Sequence, residues 1–116
     1  MKFLVMFRKK PGMSHTEFRR YYETSHVPLL SKHMPFIREY RRNYVDPNVT
    51  RMPAGAAAPC FDVITEVRLD SEEDFKAYRD TLAMPEVLQE ILADEANFIE
   101  PNSVWRLAVT EIHSLI

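Results

Sequence analysis

In the stretch YYETSHVPLL, residues 21 to 30, a histidine, His26, stands two residues ahead of a proline inside a segment of otherwise helical spacing. An imidazole titrates near neutrality, so a partly shielded one can take a proton and give it back at physiological pH. Tyr22 lies one helical turn earlier and Tyr40 beyond the following turn; a phenol beside a cavity can orient a carbonyl or share a proton with the ring. Arg38, Arg42, Asp62, Glu66 and Arg106 offer charges whose first reading is ion pairing between two sheets and whose second is binding a polar substrate. Arg38, Glu66 and Arg106 are the substrate-binding candidates. The chemistry these types support is removal of an acidic proton next to a carbonyl by His26, with a tyrosine stabilising the enolate.

A plainer role for His26 stands beside that one. Pro28 disfavours the helical conformation at Val27 and has no N–H, so a helix begun upstream is expected to kink or stop near residue 26. The ring can then hydrogen-bond a carbonyl freed by the break, while Pro28 fits the first turn of a short following helix, PLLSKH. At 100° per residue His26 sits about 80° from Phe18, on the rim of the buried stripe. His15 and His33 are expected at the surface and His113 in the terminal strand or tail. Four histidines so scattered have no metal-ligand spacing, and two glycines cannot build a phosphate cradle, so neither metal nor cofactor is expected.

Several elements must position these residues. KFLVMFR (2 to 8) is apolar on both faces and closed by KKPG, which reads as a strand covered on two sides. Ser14 and Glu17 form a capping-box pattern opening a helix whose buried stripe is Phe18, Tyr22, Ser25 and Leu29. PFIREYRRNYV (35 to 45) reads as a strand with Phe36, Tyr40 and Tyr44 on one side, shared by Arg38 and Arg42. Residues 46 to 59, with three prolines, read as a long loop. CFDVITEVRL (60 to 69) is the clearest strand, with Phe61, Val63, Val67 and Leu69 opposite Asp62, Ile64, Glu66 and Arg68. A Ser-capped helix follows over 71 to 82, and Pro85 starts a short one carrying Val87, Leu88, Ile91 and Leu92. SVWRLAVTEI (103 to 112) closes the chain as a strand in which Trp105 is expected to anchor the core.

The order βαββαβ gives an α+β ferredoxin-like sandwich, a four-stranded antiparallel sheet with its helices on one face. A chain of 116 residues, 46% hydrophobic and 28% charged, suits one domain over 1–116. The apolar first strand and the tyrosines of the second leave the open sheet face unsuited to water, so a homodimer is expected, two sheets face to face around a partly polar interior toward which His26 turns. A net charge of −2 without a long single-sign run argues against nucleic acid and anionic membranes. The third strand carries acid where an RNA-recognition sheet needs basic and aromatic residues. No apolar run approaches the roughly 20 residues of a membrane span. A single cysteine, and a start without the pattern of an export signal, point to the cytoplasm.

Taken as a set, Lys10-Pro11-Gly12-Met13-Ser14, Glu17-Phe18-Arg19 with Tyr22, and His26-Val27-Pro28 resemble the opening of EthD-domain proteins. FDVITEVRLDSEEDFKAY likewise resembles that family's third strand and second helix. The resemblance implies the dimeric α/β-barrel superfamily, whose relatives include cofactor-independent polyketide cyclases, dehydratases and decarboxylases, muconolactone-type isomerases, quinol-type monooxygenases and haem-degrading enzymes. The function expected is a small cofactor-independent enzyme that cyclises, dehydrates or isomerises a cyclic, aromatic or polyketide-like substrate in a pocket between sheet and helices. The first alternative is a small-ligand-binding or accessory protein of the same fold, the next a haem-degrading or quinol-type monooxygenase, and fold alone does not choose among them.

Overall fold

A computed structural model describes residues Met1–Ile116. The elements are β1 (Lys2–Phe7), α1 (His15–Tyr21), a π turn (Tyr22–His26), α2 (Val27–His33), β2 (Glu39–Tyr44), β3 (Val63–Arg68), α3 (Glu72–Ala83), α4 (Pro85–Glu95) and β4 (Trp105–Val109). One antiparallel sheet has the order β2-β3-β1-β4. Each helical run therefore joins strands separated by one neighbour, and the α+β ferredoxin-like sandwich is the result.

Local chemistry sets the boundaries. Pro11 and Gly12, with Gly12 at φ 85° and the Met13 amide donating to the Lys10 carbonyl at 3.1 Å, form the turn that brings the chain from β1 to α1. Ser14 accepts from the Glu17 amide at 3.1 Å and caps α1; Ser71 accepts from the Asp74 amide at 3.1 Å and caps α3. Pro85 occupies the first turn of α4, where its missing N–H costs nothing.

The core joins Phe7 of β1, Phe18 of α1, Tyr22 of the π turn, Val63 of β3, and Phe98 and Ile99 beyond α4. Phe7, Phe18 and Phe98 are almost wholly buried, each contributing roughly 1.5–3 kcal/mol by removal from water. Phe98 also fixes the end of α4, because its ring meets those of Tyr21, Tyr22 and His26 at 5.0 to 5.4 Å between centroids.

Several expected placements are corrected. In β2 the tyrosines do not share the open sheet face: Tyr40, Arg42 and Tyr44 look toward the helices and Glu39, Arg41 and Asn43 look away, in register with Arg68, Glu66 and Ile64 of β3. The chain before Glu39 is not strand, so Phe36 and Arg38 lie outside the sheet. Trp105 does not anchor the core. Paired with Met6, it stands on the open face at 59% exposure, beside Leu107 at 40%. Along α4 only Val87 and Ile91 are buried, whereas Leu88 and Leu92 are exposed. The open face is thus apolar mainly through Leu4, Met6, Ile64, Trp105, Leu107 and Val109, while at one end Lys2 pairs with Glu66 and Glu111, and Arg68 with Glu39 and Glu111.

Candidate active site

The helix capped by Ser14 does not stop at the proline; it widens. Pro28 has no N–H for the Thr24 carbonyl and its ring would crowd that oxygen. The chain instead makes a π turn, in which the Val27 amide bonds the Tyr22 carbonyl five residues back, and then resumes as α2. A wider turn advances by less than 100° per residue. His26 accordingly lags its α-helical position and swings from the rim of the stripe into the interior, where it is 4% exposed and its ring lies 5.6 Å from that of Tyr22. The ring sits wholly on the helix side of the sheet, so its expected direction, toward a chamber between two sheets, is overturned.

Asp94, in the last turn of α4, holds the ring: its Oδ2 is 2.9 Å from His26 Nδ1. Its other oxygen accepts from the Tyr21 hydroxyl at 2.7 Å and the Ser25 hydroxyl at 2.9 Å. Burial alone would push this carboxyl up, but the hydrogen bonds from Tyr21, His26 and Ser25 outweigh it and hold Asp94 below its ordinary value of 3.8. An ionised Asp94 accepts only, so Nδ1 carries the proton and Nε2 keeps a lone pair with no protein partner. Burial lowers the His26 pKa from its ordinary 6.5, against the raising effect of Asp94, and the nearby Arg106 lowers it further. The ring is neutral at pH 7, and any imidazolium formed there already has a counter-charge.

His26 lines a cavity of about 40 Å³ between sheet and helices that touches all four strands through Tyr40, Val67, Val5 and Arg106. Tyr22 Oη lies 2.8 Å from Tyr40 Oη and 2.8 Å from Thr65 Oγ1, a continuous hydroxyl chain. Burial pushes Tyr22 up to about 12 and Tyr40 well above its ordinary value, so both phenols keep their protons. At the β4 end Glu95 Oε2 lies 3.7 Å from Arg106, with Tyr78 also on the wall. Burial raises Glu95 above its ordinary carboxylate value, Arg106 opposes that, and Asp94 adds to it. The volume suits one or two waters, and a ring-sized substrate requires its apolar walls to part.

Of the residues the sequence singles out, the structure brings His26, Tyr22, Tyr40 and Arg106 to this cavity. Glu66 is on the opposite face of the sheet, bound to Lys2 and Asn43. Arg38 is exposed, its guanidinium 4.0 Å from Asp70. Arg42 is on the helix side but held by Glu23, which accepts from it at 2.6 and 2.9 Å and from Tyr44 at 2.6 Å. Asp62 lies at the end of the sheet, accepting from the Lys9 amide at 2.7 Å. Sequence reasoning missed Asp94 and Glu95. A signal existed: Val87 and Ile91 mark the buried face of α4, and Glu95 falls four residues further on that face with Asp94 next to it. No group of three or more His, Cys, Asp or Glu side chains is disposed to hold a metal ion, and no helix is long and apolar enough to cross a membrane.

A ferredoxin-like sheet with a histidine–carboxylate pair behind an interior cavity is the class defined so far. The chain belongs to the EthD domain family, whose model matches residues 10–102. Among solved structures, it is similar to an ethyl tert-butyl ether D (EthD) family protein from Bacillus halodurans C-125, at 18% identity and TM-score 0.61 over 97% of this chain and 99% of that one. An EthD-like protein from Ralstonia eutropha JMP134 is 24% identical with TM-score 0.61, covering 97% and 94%. A dimeric ferredoxin-like protein of unknown function from Thermobifida fusca YX is 19% identical with TM-score 0.51, covering 93% and 89%. No curated protein matches the chain. Likeness at these identities is one of fold, and the chemistry rests on the side chains above.

Proposed function

We propose that this protein is a cofactor-independent acid/base catalyst that acts on a small cyclic, aromatic or polyketide-like carbonyl compound as a homodimer. The observation that carries the reading is the His26–Asp94 pair at 2.9 Å through Nδ1, on a ring that lines the cavity and whose Nε2 has no protein partner. Nε2 takes the proton from the carbon next to the substrate carbonyl, and the imidazolium formed is stabilised by Asp94. The electron pair moves onto the carbonyl oxygen. Tyr40 donates to that oxygen, with Tyr22 donating to Tyr40 and Thr65 to Tyr22, so the charge meets an ordered chain of neutral donors. The imidazolium then returns the proton, to another carbon in an isomerisation or to a departing hydroxyl in a dehydration. Dimerisation would cover the exposed Trp105 and Leu107 on the open sheet face, and the dimeric Thermobifida fusca neighbour supports it.

The test is deuterium uptake beside the carbonyl in a panel of aryl and alkyl ketones and 1,3-diketones in heavy water, followed by proton NMR. Exchange above the buffer rate that falls at least about 10²-fold in His26→Ala, with the assembly unchanged by sedimentation, supports the proposal. Exchange that survives the substitution in a folded variant would overturn it.

A further inference from the structure

The interior cavity is too small to enclose a substrate, and the structure contains the rest of the space. A second pocket of about 280 Å³ opens where α2 runs into β2, and Leu30, Ile37 and Tyr40 line both it and the inner cavity. These three side chains are the partition between the two volumes. The outer pocket is completed by Ser31, Met34 and Pro35, and no charged side chain lines it. The opposite end of the inner cavity carries Glu95 and Arg106. The path from the β2 edge to the β4 edge thus runs from wholly uncharged, through His26 and the tyrosine hydroxyls, to an ion pair.

We infer that the outer pocket is a binding subsite for an uncharged apolar group, an alkyl chain or an unsubstituted ring, borne by a substrate whose carbonyl end reaches His26 between Leu30 and Ile37. This rests on the acid/base reading for where the carbonyl lies, but the subsite itself follows from the shared walls. Charge placed in that outer space would lose part of its hydration and meet no side-chain counter-charge, whereas apolar surface gains by leaving water. The partition is built to part: Leu30 is only half-buried on a helix of seven residues, and Ile37 lies in the short irregular link to β2, fixed by one backbone bond to Met34 at 3.2 Å.

The test is binding of a graded series of phenyl ketones, acetophenone, butyrophenone, hexanophenone and octanophenone, measured by NMR titration of the His26 ring signals. Affinity is expected to rise by about two- to fourfold per methylene until the pocket is filled, and then to level off. Ser31 is exposed on the rim, so Ser31→Trp should fill the pocket without disturbing the core; it is expected to abolish the chain-length dependence while acetophenone still binds. Ser31→Arg is expected to weaken hexanophenone and to strengthen 6-oxo-6-phenylhexanoate, which ends in a carboxylate. Equal affinity along the series in the unmodified protein, or a chain-length dependence that persists in both folded variants, would overturn the inference. Graded binding without deuterium exchange would support the subsite and overturn only the catalytic reading. Exchange of acetophenone without graded binding would do the reverse.

Discussion

Two histidines on one helical run each meet a carboxylate of α4 at the same distance. His26 Nδ1 is 2.9 Å from Asp94 and His33 Nε2 is 2.9 Å from Glu90, one turn earlier on α4. The pairs differ in everything else. Asp94 is anchored by two further hydroxyls and bonds Nδ1 of a ring that is 4% exposed and lines the cavity, which leaves Nε2 without a protein partner. Glu90 stands in solvent, shared with Lys32, and occupies the outer nitrogen of His33. A short imidazole–carboxylate distance therefore says little by itself. Which nitrogen is occupied, and whether the other opens on sheltered space, separates a group able to move a substrate proton from a surface ion pair.

Breaking each pair in turn tests this. His26→Ala should cost about 10²- to 10⁴-fold in deuterium exchange, and His33→Ala should leave the rate within about twofold, measured on the best ketone of the panel. Asp94→Asn should cost on the order of 10²-fold through loss of the fixed tautomer and of the imidazolium's counter-charge; Glu90→Gln, in the same assay, should be silent. Tyr22→Phe sharpens the contrast on the stability side. It strands the fully buried Thr65 hydroxyl, and urea unfolding should show a loss of about 1–3 kcal/mol, whereas Glu90→Gln should leave the urea midpoint unmoved.

The smallest effect is the pH dependence of folding. His26 binds its proton less tightly folded than unfolded, so its contribution to stability is complete above its ordinary 6.5 and is lost as pH falls through the lowered native value. Asp94 acts with the same sign at lower pH, below its ordinary 3.8. Glu95 opposes them: its raised value means stability present below its ordinary 4.5 and lost as pH rises through the native one. Urea midpoints should fall on acidification below about pH 6.5 in the unmodified protein. The fall should flatten in His26→Gln, and the slope just above pH 4.5 should steepen in Glu95→Gln, which removes the opposing contribution.

Much of this was legible in the sequence, and the limits have physical causes. The capping serines, the proline at the start of α4 and the spacing of Phe18 and Tyr22 act locally, so they mark elements without tertiary information. The alternation in EYRRNY and WRLAV shows two faces but not which one turns inward. Arg42 faces in because Glu23 on the π turn meets it, and Trp105 faces out although its side is the more apolar one. The proline marked an interruption near His26 without saying of what kind, and the interruption is a π turn in which the ring is buried. Asp94 is 68 residues away in sequence, and nothing at His26 points to it. The reverse search, from an acid on the apolar stripe of α4, would have found the partner.

Trp105, the only tryptophan in the chain and more than half exposed on the sheet's bare side, gives the protein an optical gauge of its own. If two copies close over that side, the indole passes from water into a protein interior, and its emission should move to shorter wavelength as concentration rises. A simple dilution series would then read the association constant without any label.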